Sequence, residues 1–186
     1  MIHSKKNSGL RIFVGCLFVL STSACSLFSP TEPEMSDSEA CVKLNELIVD
    51  HSDNFKQFKR GRLSSSRMNY IQTWNAERVF PLAKNCQVWE WSSGLTNYFC
   101  AWDESGEVQA KFSHDKGVDI VSQCLGKQWQ SNFVNTKSGG GSTLFSQEGG
   151  KTVISIRYFK ESRTILENWK TTLYVGAESN LKAAVQ

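Results

Sequence analysis

Cys41, Cys86, Cys100 and Cys124 cut the chain into segments that any fold must bring back together, provided the thiols oxidise. The first two dozen residues decide whether they do. MIHSKKNSGLR carries Lys5, Lys6 and Arg11 and no acid, and leads through the apolar run from Ile12 to Leu20 into the small residues Ser21 to Ala24. That is the order of a secretory signal peptide. The apolar run is too short to span a bilayer, which takes roughly 20 apolar residues in a helix. Residues 1–24 are therefore expected to be removed on export, and exported thiols are expected to pair. Cys16 leaves with the leader, and the five cysteines that remain, Cys25 and the four above, are one too many for bridges alone.

Ser23-Ala24-Cys25 resembles the end of a bacterial lipobox, a likeness that covers residues 1 to about 40 only. The resemblance implies a lipoprotein in which Cys25 becomes the diacylglyceryl-modified, N-acylated first residue, fastened to the lipid bilayer. The remaining four cysteines are then an even set. Ser26 rather than Asp after the cysteine implies, for Gram-negative lipoproteins, passage to the outer membrane with the domain facing the periplasm. SLFSPTEPEMSDSE, with Pro30 and Pro33, has the polar, turn-prone composition of a flexible tether, so residues 25–40 are read as lipidated cysteine plus linker. The alternative is cleavage after Thr22-Ser23-Ala24 by an ordinary signal peptidase, giving a soluble exported protein with a spare thiol.

Beyond the tether, residues 41–186 are read as a single domain; about 146 residues is enough for one hydrophobic core. The chain has 21 basic and 18 acidic residues, and the leader's three bases account for the whole excess, so the exported part is neutral. A nucleic-acid-binding surface would show a clustered basic surplus. Ser36 and Glu39 form a capping box that starts a helix whose buried stripe is Cys41, Leu44, Ile48, His51, Phe55 and Phe58. KRGRLSSSR breaks it. A second helix is expected from about Ser66, burying Met68, Ile71 and Trp74 before Pro81. CQVWEWS and TNYFCAW flank Ser93-Gly94 as a hairpin, and SGEVQAKFSHDKGVDIVSQCLG reads as a helix burying Val108, Phe112, Val118, Val121 and Leu125, with a bend at Gly117. QWQSNFVNT, STLFSQ, KTVISIRYF and NWKTTLYVG then alternate like strands between glycine turns. No internal repeat is visible. The expected class is α+β, an antiparallel sheet of a hairpin plus a four-strand meander with helices on one face, stapled by disulfides.

If the Ser93-Gly94 turn is symmetric, Cys86 lies opposite Ala101 and on the other face of the sheet from Cys100. Those two should then not pair with each other. Cys41–Cys86 with Cys100–Cys124, which joins neighbouring elements, or Cys41–Cys100 with Cys86–Cys124 would remain.

The same geometry puts Trp89, Trp91, Tyr98 and Trp102 on one face. Exposed, the row could stack on sugars such as peptidoglycan or anchor a protein; buried, it is core. Lys59, Arg60 and Arg62, with Lys56 and Arg67, form a basic run suited to an acidic partner or simply to a solvated helix end. Catalysis has little support. Ser113-His114-Asp115 are consecutive, Asp103 and Glu104 are adjacent, and no Walker spacing follows the glycine run. The cysteines lack CxxC spacing, so no metal and no cofactor is expected. The sequence points to a lipid-anchored protein, not an enzyme, that binds another envelope protein, as assembly accessory or as inhibitor of the immunity type. Peptidoglycan binding through the tryptophans is the alternative, and a hydrolase the remoter one.

Overall fold

A computed structural model describes residues 35–63, 70–136, 139–161 and 168–184. Cys25, the leader, Met68 and Arg67 lie outside the described residues. The fold begins inside the stretch read as tether: Met35 is buried and α1 (Asp37–Asp50) starts at once, its Ser36 hydroxyl accepting from the Glu39 backbone N–H at 3.2 Å. Ala40, Leu44, Leu47 and Asp50 face inward. After Asp50 the chain tightens into a 3₁₀ turn, His51–Asp53, and Asn54 and Phe55 both take positive φ. Bulky residues seldom do so. Asp50 holds the turn twice, its carbonyl accepting from Phe55 N–H at 2.9 Å and its carboxylate from Gln57 N–H at 2.9 Å. The reward is Phe55 fully buried between His51 and Tyr98.

β1 (Lys59–Leu63), β2 (Ile71–Ala76), β3 (Asn85–Trp91) and β4 (Thr96–Glu104) follow as an antiparallel meander. The chain then repeats the plan. α2 (Glu107–Cys124) leads into β5 (Trp129–Asn135), β6 (Gly141–Gln147), β7 (Val153–Lys160) and β8 (Trp169–Gly176), a second meander, and α3 (Glu178–Ala184) closes the described chain. The meanders join where β4 pairs with β8, so one eight-stranded sheet runs β1-β2-β3-β4-β8-β7-β6-β5. Corresponding elements start about 70 residues apart: Asp37 and Glu107, Lys59 and Trp129, Ile71 and Gly141. The molecule is thus a helix-and-four-strand unit used twice, a repeat that the sequence does not display.

The α+β class, the presence of two disulfides, α2, the β3–β4 hairpin and the last four strands agree with the sequence reading. α1 starts at the expected cap but ends at Asp50, so His51, Phe55 and Phe58 lie beyond it, and KRGRL, read as a break, forms β1. The helix expected from Ser66 does not form; Ile71 and Trp74 lie on β2. Strand alternation puts them on opposite faces of the sheet, and both faces are apolar there, so the pair three residues apart imitated a helical stripe. α2 runs unbent through Gly117, whose missing side chain lets the helix approach the sheet: a Cβ there would sit 3.3 Å from Phe80 and from Ile156. The buried side of α2 is Ala110, Ser113, His114, Gly117, Ile120 and Val121, so the expected burial of Val108 and Phe112 is wrong; they are 86% and 61% exposed.

The disulfides correct the expected pairing. Cys86 bonds Cys100, and Cys41 bonds Cys124. The hairpin loop holds three residues, not two: Trp91 N–H donates to Leu95 carbonyl, Gly94 sits at positive φ, and the register runs Glu90 with Thr96 and Cys86 with Cys100. One residue of slip exchanges the faces of a whole strand. The core lies between α1 and α2 and the sheet face carrying Val88, Tyr98, Cys100, Trp102, Phe145, Ile154, Ile156 and Leu173, and it is continuous through both units.

Candidate binding surface

The same slip redistributes the aromatic row. Tyr98 and Trp102 belong to the helix-side core; Tyr98 is fully buried and donates its hydroxyl to the Glu77 carbonyl at 2.7 Å, and burial pushes its phenol pKa upward. Both are withdrawn from the surface. Trp89 and Trp91 lie on the far face, turned away from α1 and α2, and there they meet Phe99 and Tyr70. Tyr70 stacks on Trp91 with centroids 6.3 Å apart, Trp91 meets Trp89 at 6.5 Å and Trp89 meets Phe99 at 5.1 Å. Trp89, Trp91 and Phe99 are half-buried and Tyr70 is exposed. The indole N–H groups are used locally: Trp89 Nε1 donates to Gln87 Oε1 at 2.8 Å and Trp91 Nε1 to Asn97 Oδ1 at 2.9 Å. What the cluster offers outward is apolar ring surface. Tyr70 and Phe99 escaped the sequence reading; the aromatics of TNYFCAW carry the signal, but only a three-residue loop puts Phe99 beside Trp89.

The basic run is largely occupied within the fold. Lys59 pairs with Glu90 at 3.0 Å and lies over the Trp74 ring, Arg60 pairs with Glu77, and Arg62, the cross-strand partner of Trp74, lies over the same ring at 5.9 Å. Glu77 also receives Lys43 of α1, and these hydrogen-bonded cations, Lys43 first, hold its carboxyl below the usual range. Lys56 pairs with Asp53. These contacts pin α1, β1 and the segment after β2 together rather than present a free cationic face.

The residues considered for catalysis are separated or enclosed. Asp103 and Glu104 alternate to opposite faces of β4, so they do not face one another as a carboxylate pair. His114 does hydrogen-bond its neighbour, Nδ1 to Asp115 Oδ1 at 2.9 Å, while Nε2 meets Thr143 Oγ1 at 3.1 Å. The hydroxyl, imidazole and carboxylate stand in the order of a nucleophilic triad, with Thr143 in the place where Ser113 was considered. His114 is 2% exposed and packed against Phe133 and Tyr158, and Thr143 is buried beside it. In this conformation the hydroxyl is closed to substrate, and the three groups serve to satisfy one another under α2. Among the described residues no three His, Cys, Asp or Glu side chains gather as metal ligands, and no helix is long and apolar enough to cross a membrane.

A second apolar feature lies on α2. Val108 and Phe112, one turn apart, line with Glu107, Lys111 and Asp115 a shallow depression of about 330 Å³. No protein-family profile matches this chain, no curated protein sequence is detectably similar to it, and no solved structure matches it.

Proposed function

We propose that the chain is a Gram-negative envelope lipoprotein, held to the outer membrane through acylated Cys25 and facing the periplasm, whose domain binds another envelope protein as assembly accessory or immunity-type inhibitor. The order of charges, apolar run and small residues before Cys25 supports the anchor. The observation that carries the binding role is the contiguous Tyr70–Trp91–Trp89–Phe99 cluster on the sheet face away from α1 and α2. Aromatic side chains of this kind dominate protein hot spots, and here both indole N–H groups are already satisfied, so a partner gains apolar contact without stripping them of water. A sugar chain calls for flat rings in succession. Trp89 is tilted 59° from Trp91 and 37° from Phe99, which suits an irregular protein surface better. Confinement to a membrane raises the effective concentration of the domain near partners held on the same surface.

Crosslinking of the tethered protein in its native envelope, followed by identification of what is recovered, tests the binding role. A discrete envelope protein is expected with the wild type. Recovery should fall at least about tenfold in a Trp89→Ala, Trp91→Ala variant that still forms both disulfides, since truncating one hot-spot aromatic costs about 2 kcal/mol or more. Undiminished recovery, or a tryptophan fluorescence shift with peptidoglycan fragments and no protein captured, would overturn it. The anchor has its own test. Cys25→Ala should release a folded domain from the membrane fraction; a variant that stays with membranes contradicts the acyl attachment.

A further inference from the structure

β1 and β5 hold equivalent places in the two units, as the outer edges of one sheet. An edge strand carries a row of unpaired N–H and C=O groups, and chains blunt such edges with short length, charge, bulges or a covering segment. β1 has three of these devices. It is five residues long, carries Lys59, Arg60 and Arg62, and its register with β2 is irregular between Lys59 and Arg62.

Among the described residues β5 has none of them. Its seven residues, WQSNFVN, contain no charge, proline or glycine, and pair with β6 at all seven positions without a break in register. Every residue from Gln130 to Asn135 is exposed, with Phe133 at 48% and Val134 at 51%. Among the described residues no strand pairs with its outer side.

We propose that β5 is the docking edge for a second copy of this chain, added antiparallel so that one sheet runs on across a two-fold axis. The choice of occupant follows from the strand itself. An isologous contact sets each residue against itself or its near neighbours, so any charge near the axis meets its like. A foreign strand would impose no such neutrality, and β1 shows that this chain supplies edge charges at the equivalent place. A two-fold axis at Phe133 sets the two Phe133 side chains opposite one another on the helix side, an aromatic cross-strand pair of the kind that stabilises sheets, and each Val134 opposite an uncharged Asn132. It also satisfies the open backbone groups of both edges where the strands overlap, residues 131–135. A seven-residue edge is a small contact, at the low end of specific interfaces, so association in the micromolar range is expected.

Sedimentation equilibrium of the full chain in density-matched detergent reads the outcome. The wild type should shift from one to two chains per particle below about 100 μM, and Phe133→Lys with Val134→Lys should weaken association about a hundredfold or more through like charges at the axis. The paired conservative changes Phe133→Leu and Val134→Ile should keep it. Retention of both disulfides and of the thermal transition shows that the lysine variant has folded. Amide exchange localises the contact: dimerisation should protect outward-facing amides within residues 131–135 and leave residues 59–63 unchanged. A chain that stays single throughout the range, a dimer that survives the lysine pair, or protection at β1 instead would overturn the proposal.

Discussion

His51 joins the two units through a single ring. Its Nδ1 lies 2.8 Å from Thr152 Oγ1, in the turn before β7, while the ring stacks on Phe55 at 5.1 Å. Burial lowers its pKa from the ordinary 6.5, since charging the imidazole there forfeits water. The sign follows. The unfolded chain binds the proton more readily, so the contribution of His51 is fully present above the unfolded value and is lost as pH falls from there toward the folded one. The urea midpoint of the wild type is therefore expected to exceed that of His51→Gln at about pH 7, with the gap narrowing by about pH 5. A gap that is constant or widens on acidification would show that His51 is not held neutral. At this scale the sequence was informative where a residue's role depends on its own chemistry, as with Ser36 at its cap. It failed where the role depends on which face a strand presents, as with Tyr98 and Phe99.

The face in turn depends on elements, and above all on one loop. Two-residue and three-residue hairpin loops both use glycine at positive φ, so Ser93-Gly94 is equally consistent with either, yet the choice moves Cys100 and every other residue of β4 across the sheet. The strands after Gly126 were legible because they are short runs rich in β-branched and aromatic residues, the first three punctuated by glycine turns. β2 was not, having apolar residues on both. The two disulfides, read at the same scale, do different work. Cys86–Cys100 crosses strands already paired and closes 14 residues, whereas Cys41–Cys124 ties α1 to α2 across 83 residues and so links the two units. Loop entropy assigns about 3 kcal/mol to the first and about 4.5 kcal/mol to the second. Urea unfolding of the Cys41→Ala, Cys124→Ala pair and the Cys86→Ala, Cys100→Ala pair should show the larger loss for the helix bridge. Equal losses, or the reverse order, would mean that strain or denatured-state structure outweighs loop length.

For the whole molecule, the decisive relation is the meeting of β4 with β8, which brings together residues 65 to 79 apart in the chain. The repeat stayed hidden in the sequence because it is one of topology: equivalent strands such as KRGRL and WQSNFVN share no residue pattern. Two such units could fold separately or as one. The core argues for one, since the main apolar cluster takes Leu44, Val88 and Tyr98 from the first unit and Val121, Ile154 and Leu173 from the second, leaving only the small cluster of Ala110, Tyr158 and Trp169 within one unit. Unfolding is accordingly expected as one cooperative step. Four of the tryptophans, Trp74, Trp89, Trp91 and Trp102, lie in the first unit, so fluorescence reports chiefly on that half while far-UV circular dichroism reports on both. With the disulfides intact, the urea curves from the two probes should superimpose, with one midpoint and one slope. A fluorescence transition that precedes or follows the dichroism change would separate the units and show that the β4–β8 junction does not couple them.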